Sequence, residues 1–176
     1  MLTHTGCRER QSRLWQRLPD EISWVLVGDA RHVQYFSNFR INPISFSADQ
    51  KSLLLLTRGG EAILLADNFA KRSATVPYFI DREVIVPWYT HKKSVTNRDD
   101  ALCEALTDVE DVWSGATGLI EPEGISEMVA AMVAEDAAWQ FADDDDEQPN
   151  TLGTVIRELR RSKHDDEVEL LKICMK

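Results

Sequence analysis

Apolar residues along this chain come in two arrangements, short unbroken runs and stripes spaced three or four apart, and the two alternate. Residues 8–18 carry Leu14, Trp15 and Leu18 on one side and read as an amphipathic opening helix, closed by Pro19-Asp20. Trp24-Val25-Leu26-Val27, bounded by Gly28, is the continuous run of a strand buried on both faces. Asp29 then caps a helix through Val33, Tyr35 and Phe36. Asn38 ends it, because asparagine tolerates the left-handed conformation that closes a helix. Residues 40–50, with Pro43 and scattered aromatics, read as irregular.

Residues 52–57 and 62–66 are two apolar runs separated by Arg58-Gly59-Gly60-Glu61, which predicts a hairpin. The glycine pair belongs to no GxGxxG or GxxxxGK[ST] pattern, so a turn is expected there rather than a phosphate cradle. Asp67-Asn68 opens a short helix toward Ala74, and residues 83–86 form another strand before the aromatic loop Pro87-Trp88-Tyr89-Thr90-His91. Asn97 starts a helix whose stripe is Ala101, Leu102, Ala105, Leu106 and Val109. Residues 118–121 read as a strand turned by Pro122-Glu123-Gly124. Ser126 caps a helix with Met128, Val129, Met132 and Val133 on its apolar side, and residues 139–141 suggest a last short strand.

Two stripes close the sequence. Leu152, Val155, Ile156 and Leu159 fall at i, i+3, i+4 and i+7, and Val168, Leu171, Cys174 and Met175 make the second. Asp165, Asp166 and Glu167 crowd the first turn of that second helix, where carboxylates favour the positive end of the macrodipole. No glycine, asparagine or proline follows its stripe, so the native chain is expected to continue past Lys176. Strands alternating with helices, with a hairpin inserted early, predict an α/β fold: a three-layer α-β-α sandwich with a mixed β-sheet.

Composition narrows the function classes. The chain's 176 residues suit one domain, and its 43% hydrophobic content excludes a disordered one. A net charge of −10 argues against general nucleic-acid or anionic-membrane binding, and no apolar run reaches membrane-spanning length. Much of the acidity lies in residues 143–147, which read as a solvated loop; nothing there fixes the geometry a metal site needs. Cys7, Cys103 and Cys174 are odd in number and far apart, and the N-terminal residues lack a signal peptide's apolar core. A cytoplasmic location is therefore expected.

The side chains that carry chemistry are scattered. His4, His32, His91 and His164 are isolated, without ligand spacing, and His32 reads as a satisfied structural histidine near Asp29. No GxSxG elbow is present, Cys103 falls in a helical stripe, and Asp99-Asp100 and Asp165-Asp166 sit at helix starts. No catalytic residue and no metal ligand is assigned to this sequence.

Two segments carry a resemblance to a known family. Arg160-Arg161-Ser162-Lys163-His164-Asp165-Asp166-Glu167-Val168-Glu169-Leu170-Leu171-Lys172 resembles the segment joining the N-terminal and catalytic domains of creatinase, prolidase and aminopeptidase P metallopeptidases. The family places Ser or Thr after the lysine as the helix cap. Here His164, a poor cap, stands there, so Asp165 is expected to take over and shift the start by one residue. Residues 25–39 are similar to the family's first strand–helix unit, with Asn38 where the family prefers glycine.

The resemblance covers residues 8–172. It implies a creatinase/prolidase-type N-terminal domain over residues 1–164, with a ribonuclease H-like motif. Residues 165–176 would then begin the first helix of a C-terminal catalytic domain. That domain would hold two divalent metal ions, manganese, cobalt or zinc, on two Asp, one His and two Glu. The implied roles of the present chain are homodimerisation and walling the substrate cleft of a metal-dependent Xaa-Pro dipeptidase or aminopeptidase acting on short proline-containing peptides. A creatine amidinohydrolase-like parent is the alternative. So is a catalytically dead peptide- or histone-binding module, like the related domain in the large subunit of the FACT histone chaperone. The substrate-cleft candidates are Phe39, Arg40 and Phe46: two rings to meet an apolar group and a guanidinium to meet a carboxylate.

Overall fold

The computed structural model describes residues 2–42, 51–92, 94–142 and 150–175. In chain order the elements are α1 (His4–Trp15), β1 (Trp24–Val27), α2 (Ala30–Ser37), β2 (Arg40–Ile41), β3 (Ser52–Thr57), β4 (Ala62–Asp67), α3 (Asn68–Arg72) and β5 (Ala74–Thr75). There follow β6 (Arg82–Val86), α4 (Arg98–Thr107), α5 (Glu110–Trp113), β7 (Gly118–Ile120), α6 (Glu127–Met132), β8 (Ala137–Ala138), β9 (Gln140–Phe141), β10 (Asn150–Thr151), α7 (Leu152–Leu159) and α8 (Asp165–Cys174).

Six strands form one mixed sheet in the order β6-β4-β3-β1-β7-β8, and β2–β5 and β9–β10 make two small antiparallel ribbons. β1 runs antiparallel to β3 and parallel to β7, with Trp24 beside Gly118 and Leu26 beside Ile120. The pleat sends alternate residues to opposite faces. Val25, Val27, Leu54, Leu56 and Leu64 meet α1, α2 and α7, whereas Trp24, Leu26, Leu53, Leu55 and Leu65 meet α4, α5 and α6. Both faces of the sheet are therefore covered by helices, which is why its central strands read as unbroken apolar runs.

Most departures from the expected elements sit at their ends. Helix α1 begins at His4, because the Thr3 hydroxyl accepts the Gly6 N–H at 3.0 Å and caps it earlier than the apolar spacing suggests. Asn38 takes the left-handed conformation (φ 58°), as expected. The segment read as irregular contains β2, which pairs with β5 where the α3 helix was expected to run on. Glu121 lies just past β7. Met128 is exposed, because α6 is only six residues long and turns Val129 and Ala130 inward instead. Helix α8 starts at Asp165 with His164 as its cap residue, which corrects the expected slip: the Glu167 carboxylate reaches back to the His164 N–H at 3.0 Å. Among the described residues no helix is long and apolar enough to cross a membrane.

Candidate functional site

The antiparallel placement of β3 brings the carboxyl ends of β1, β4, β6 and β7 to one edge of the sheet. After β1 the chain enters α2 on one face, and after β7 it enters α6 on the other. In α/β folds the crevice where connections diverge in this way is where ligands gather. Here the crevice is closed from within. Gly28 and Gly124 touch backbone to backbone, so a Cβ on Gly28 would lie 2.3 Å from the Gly124 carbonyl oxygen. The fully buried Glu121 carboxylate accepts the Gly28 and Asp29 N–H groups at 2.9 and 2.8 Å through Oε2. Its Oε1 accepts His32 Nδ1–H. An internal carboxylate thus occupies the place at the start of α2 that suits an anion. His32 is satisfied on one nitrogen only, since Nε2 is buried without a partner.

A second polar cluster ties the two ends of the described chain together. Arg10 and Asp166 form an ion pair at 2.7 Å with side chains 0% and 6% exposed. Arg10 Nε also donates to the Tyr35 carbonyl at 2.6 Å, and Gln11 donates to the Phe36 carbonyl at 2.9 Å. The last turn of α2 thereby finds partners for carbonyls that a helix end leaves over. Asp166 further accepts the Thr3 N–H at 2.8 Å. Burial alone would raise its carboxyl, but the hydrogen bonds from Arg10 and Thr3 outweigh that and hold it well below the usual carboxylate range. His164 bonds to Glu9 and to Asp166; the Glu9 contact chiefly raises its pKa, burial opposes it, and Asp166 adds to the rise. Burial pushes the neighbouring Cys7 thiol up, which keeps it protonated on the buried side of α1.

The residues expected at a substrate cleft are separated by the structure. Arg40 is exposed and stands across from Thr75 in the β2–β5 ribbon, next to Val76, which is also exposed. Among the described residues no carboxylate pairs with its guanidinium. Phe39 is a core residue, 1% exposed. The left-handed Asn38 turns the chain inward and donates to the Pro77 carbonyl at 2.7 Å, so the Phe39 ring packs edge-on against Tyr78 at 5.1 Å. Phe46 lies outside the described residues.

Sequence reasoning passes over Glu121, Arg10 and Arg98. Arg98 is almost buried, pairs with Asp67 at 2.8 Å and lies 4.0 Å from the Trp88 ring. A visible signal for Glu121 and Arg10 is their place, charges at positions that the neighbouring apolar periodicity turns inward. Among the described residues no three His, Cys, Asp or Glu side chains converge to hold a metal ion. The resemblance assigns its dinuclear ligand set to a separate C-terminal domain and not to these residues. Compared with models of known protein families and with curated proteins, the chain matches none. What the geometry offers is an exposed arginine on the β2–β5 ribbon that no described carboxylate engages, and a last described helix anchored at its first turn.

Proposed function

We propose that this chain is the non-catalytic N-terminal domain of a metal-dependent Xaa-Pro dipeptidase or aminopeptidase, with the fold of the creatinase and prolidase N-terminal domain. In this reading it serves homodimerisation, forms one wall of the substrate cleft and works in the cytoplasm. The two divalent metal ions belong to an adjoining catalytic domain.

The observation that carries the reading is α8. Its acidic start is fixed to α1 through Asp166 and Arg10, yet Leu171, Ile173 and Met175 are 49%, 65% and 85% exposed. A helix held at its first turn, with Leu171 and Met175 exposed on one side and Ile173 on the other, presents apolar surface suited to neighbours. The first helix of an adjoining domain has that form. Arg40 adds to the reading, because an exposed guanidinium on a rigid ribbon can take a peptide carboxylate bidentately.

The test lies in the full-length protein. Its reading frame should carry two Asp, one His and two Glu as a ligand set downstream of α8, and a frame without them overturns the proposal. In the active protein, Arg40→Ala should raise KM for an Xaa-Pro dipeptide about tenfold or more, with kcat and metal content unchanged. An unchanged KM removes Arg40 from the cleft and leaves the domain assignment standing.

A further inference from the structure

At the carboxyl ends of β4 and β6, beside the start of β3, lies a hollow of about 370 Å³ lined by Lys51, Trp88, Thr96, Asn97, Arg98 and Asp99. Its volume falls at the small end of the ~300–1,000 Å³ usual for small-molecule sites. We propose that it binds a small zwitterion, an α-amino acid, whose carboxylate takes Lys51 and Arg98 and whose ammonium takes Asp99. This proposal does not rest on the peptidase reading.

Two residues of the lining, Arg98 and Trp88, carry unspent donors. Arg98 uses Nη1 on Asp67, and its other N–H groups make no hydrogen bond among the described residues. The guanidinium cannot swing away, because it is almost buried and packed against the rings of Trp88 and Phe69, at 4.0 and 5.8 Å. The Trp88 indole N–H is buried and likewise has no partner. Buried donors of this kind normally find an acceptor, so two in one wall call for one. The loop that carries Trp88 is pinned: Asn68 accepts the Trp88 N–H at 3.0 Å and donates to the Tyr89 carbonyl at 2.9 Å. The start of α4 contributes little, since the Asn97 side chain takes the Asp99 N–H and Asp100 takes the Asn97 N–H.

Charge decides the ligand class. Among the described residues the lining presents two cations, one anion and no aliphatic side chain. A simple anion would meet Asp99, and a simple cation would meet Lys51 and Arg98. A molecule carrying both charges a few bonds apart satisfies each side. In its absence Lys51 and Asp99 satisfy each other, at 3.2 and 3.4 Å. Lys51 is half exposed there, so water can take over its ammonium when the pair parts.

The experiment titrates the 176-residue chain with L-alanine, acetate and methylammonium, followed by calorimetry and by the indole N–H resonances of the five tryptophans. Trp88→Phe identifies the relevant signal. L-Alanine should shift that signal and saturate by about 10 mM, while acetate and methylammonium should not saturate. Lys51→Met and Asp99→Asn should each weaken binding about tenfold or more while the remaining spectrum keeps its dispersion. Lys51 is exposed enough that its variant should fold. The proposal is overturned if L-alanine gives no saturable shift, if acetate binds as tightly, or if Lys51→Met binds like the parent.

Discussion

On one face of the sheet, α1, α2 and α7 pack through aliphatic side chains and also through buried polar groups that join remote parts of the chain. On the other, α4, α5 and α6 are held almost wholly by apolar contact. Arg10 and Asp166 lie 156 residues apart in sequence, His32 and Glu121 lie 89 apart, and both pairs belong to the first face. On the second face the Trp24 indole N–H donates from the sheet to the Trp113 carbonyl at 2.9 Å, and the Trp113 indole N–H donates from α5 to the Leu106 carbonyl of α4 at 3.0 Å. Its charged pair of Asp67 and Arg98 sits at the carboxyl end of β4.

The difference teaches what each kind of contact specifies. Apolar packing asks for about the right volume and tolerates exchange of similar shapes. A buried charge accepts only its partner, so Arg10 fixes where α8 begins and Glu121 fixes how the loops after β1 and β7 meet.

Replacing one residue on each face by methionine should break or confirm this contrast. Arg10→Met leaves Asp166 buried without its guanidinium and the Tyr35 carbonyl without its donor, and should cost about 3–5 kcal/mol. Leu102→Met, at a fully buried site on the other face, keeps volume and should cost less than about 1.5 kcal/mol. Urea unfolding of the two variants measures both. Equal losses, or a loss under about 1 kcal/mol for Arg10→Met, would mean that the ion pair does not specify the first face.

A smaller effect should appear on changing pH. A depressed carboxyl stabilises the fold above its unfolded value, and loses that contribution as pH falls toward the folded one. The gap between parent and Asp166→Asn should thus be full at neutral pH and narrow below about pH 3.9. His164 works in the opposite sense, because its pKa is raised. Its contribution is complete below about pH 6.5 and fades as pH rises through the folded value. A parent-to-variant gap for Asp166→Asn that stays constant down to about pH 2.5 would detach the carboxylate from the stability of this junction.

These contrasts also mark what the sequence makes legible. Local signals are readable: the run from Trp24 to Val27, the β3–β4 hairpin, and the caps Asp29, Asn97 and Ser126 all depend on neighbours a few residues away. Residues whose partner is remote are not. Asp166 reads as a macrodipole carboxylate because its place in the first turn suffices for that, and nothing nearby announces Arg10. Glu121 looks like the end of a strand. Phe39 looks exposed because a loop after a helix is usually at the surface, whereas Asn38 turns it back into the core. The short pairing of β2 with β5 has too few residues to show an alternation, whereas β9 falls within the strand read at residues 139–141.

The smallest predicted effect separates a surface pair from the buried ones. Gly153 sits in the first turn of α7, and a Cβ there would lie 2.2 Å from Glu123 Oε2. The obstacle is the far end of a flexible, half-exposed side chain that also bonds Arg157 at 2.5 Å. In Gly153→Ala the helix should gain about 0.5–1 kcal/mol from reduced backbone freedom in the unfolded chain. The displaced Glu123 gives up an exposed ion pair worth ~0–1 kcal/mol. The two changes should nearly cancel, leaving a net shift below about 1 kcal/mol in either direction. A double-mutant cycle with Arg157→Ala sharpens the point, because the arginine should matter less once the added methyl group has moved its partner. By contrast, Gly124→Ala would drive a Cβ to 2.0 Å from the Asp29 backbone nitrogen, which has no rotamer with which to yield. If Gly153→Ala proves as damaging as Gly124→Ala, the Glu123 contact is structural in the way Glu121 is, and the line drawn between surface and buried carboxylates of this loop is misplaced.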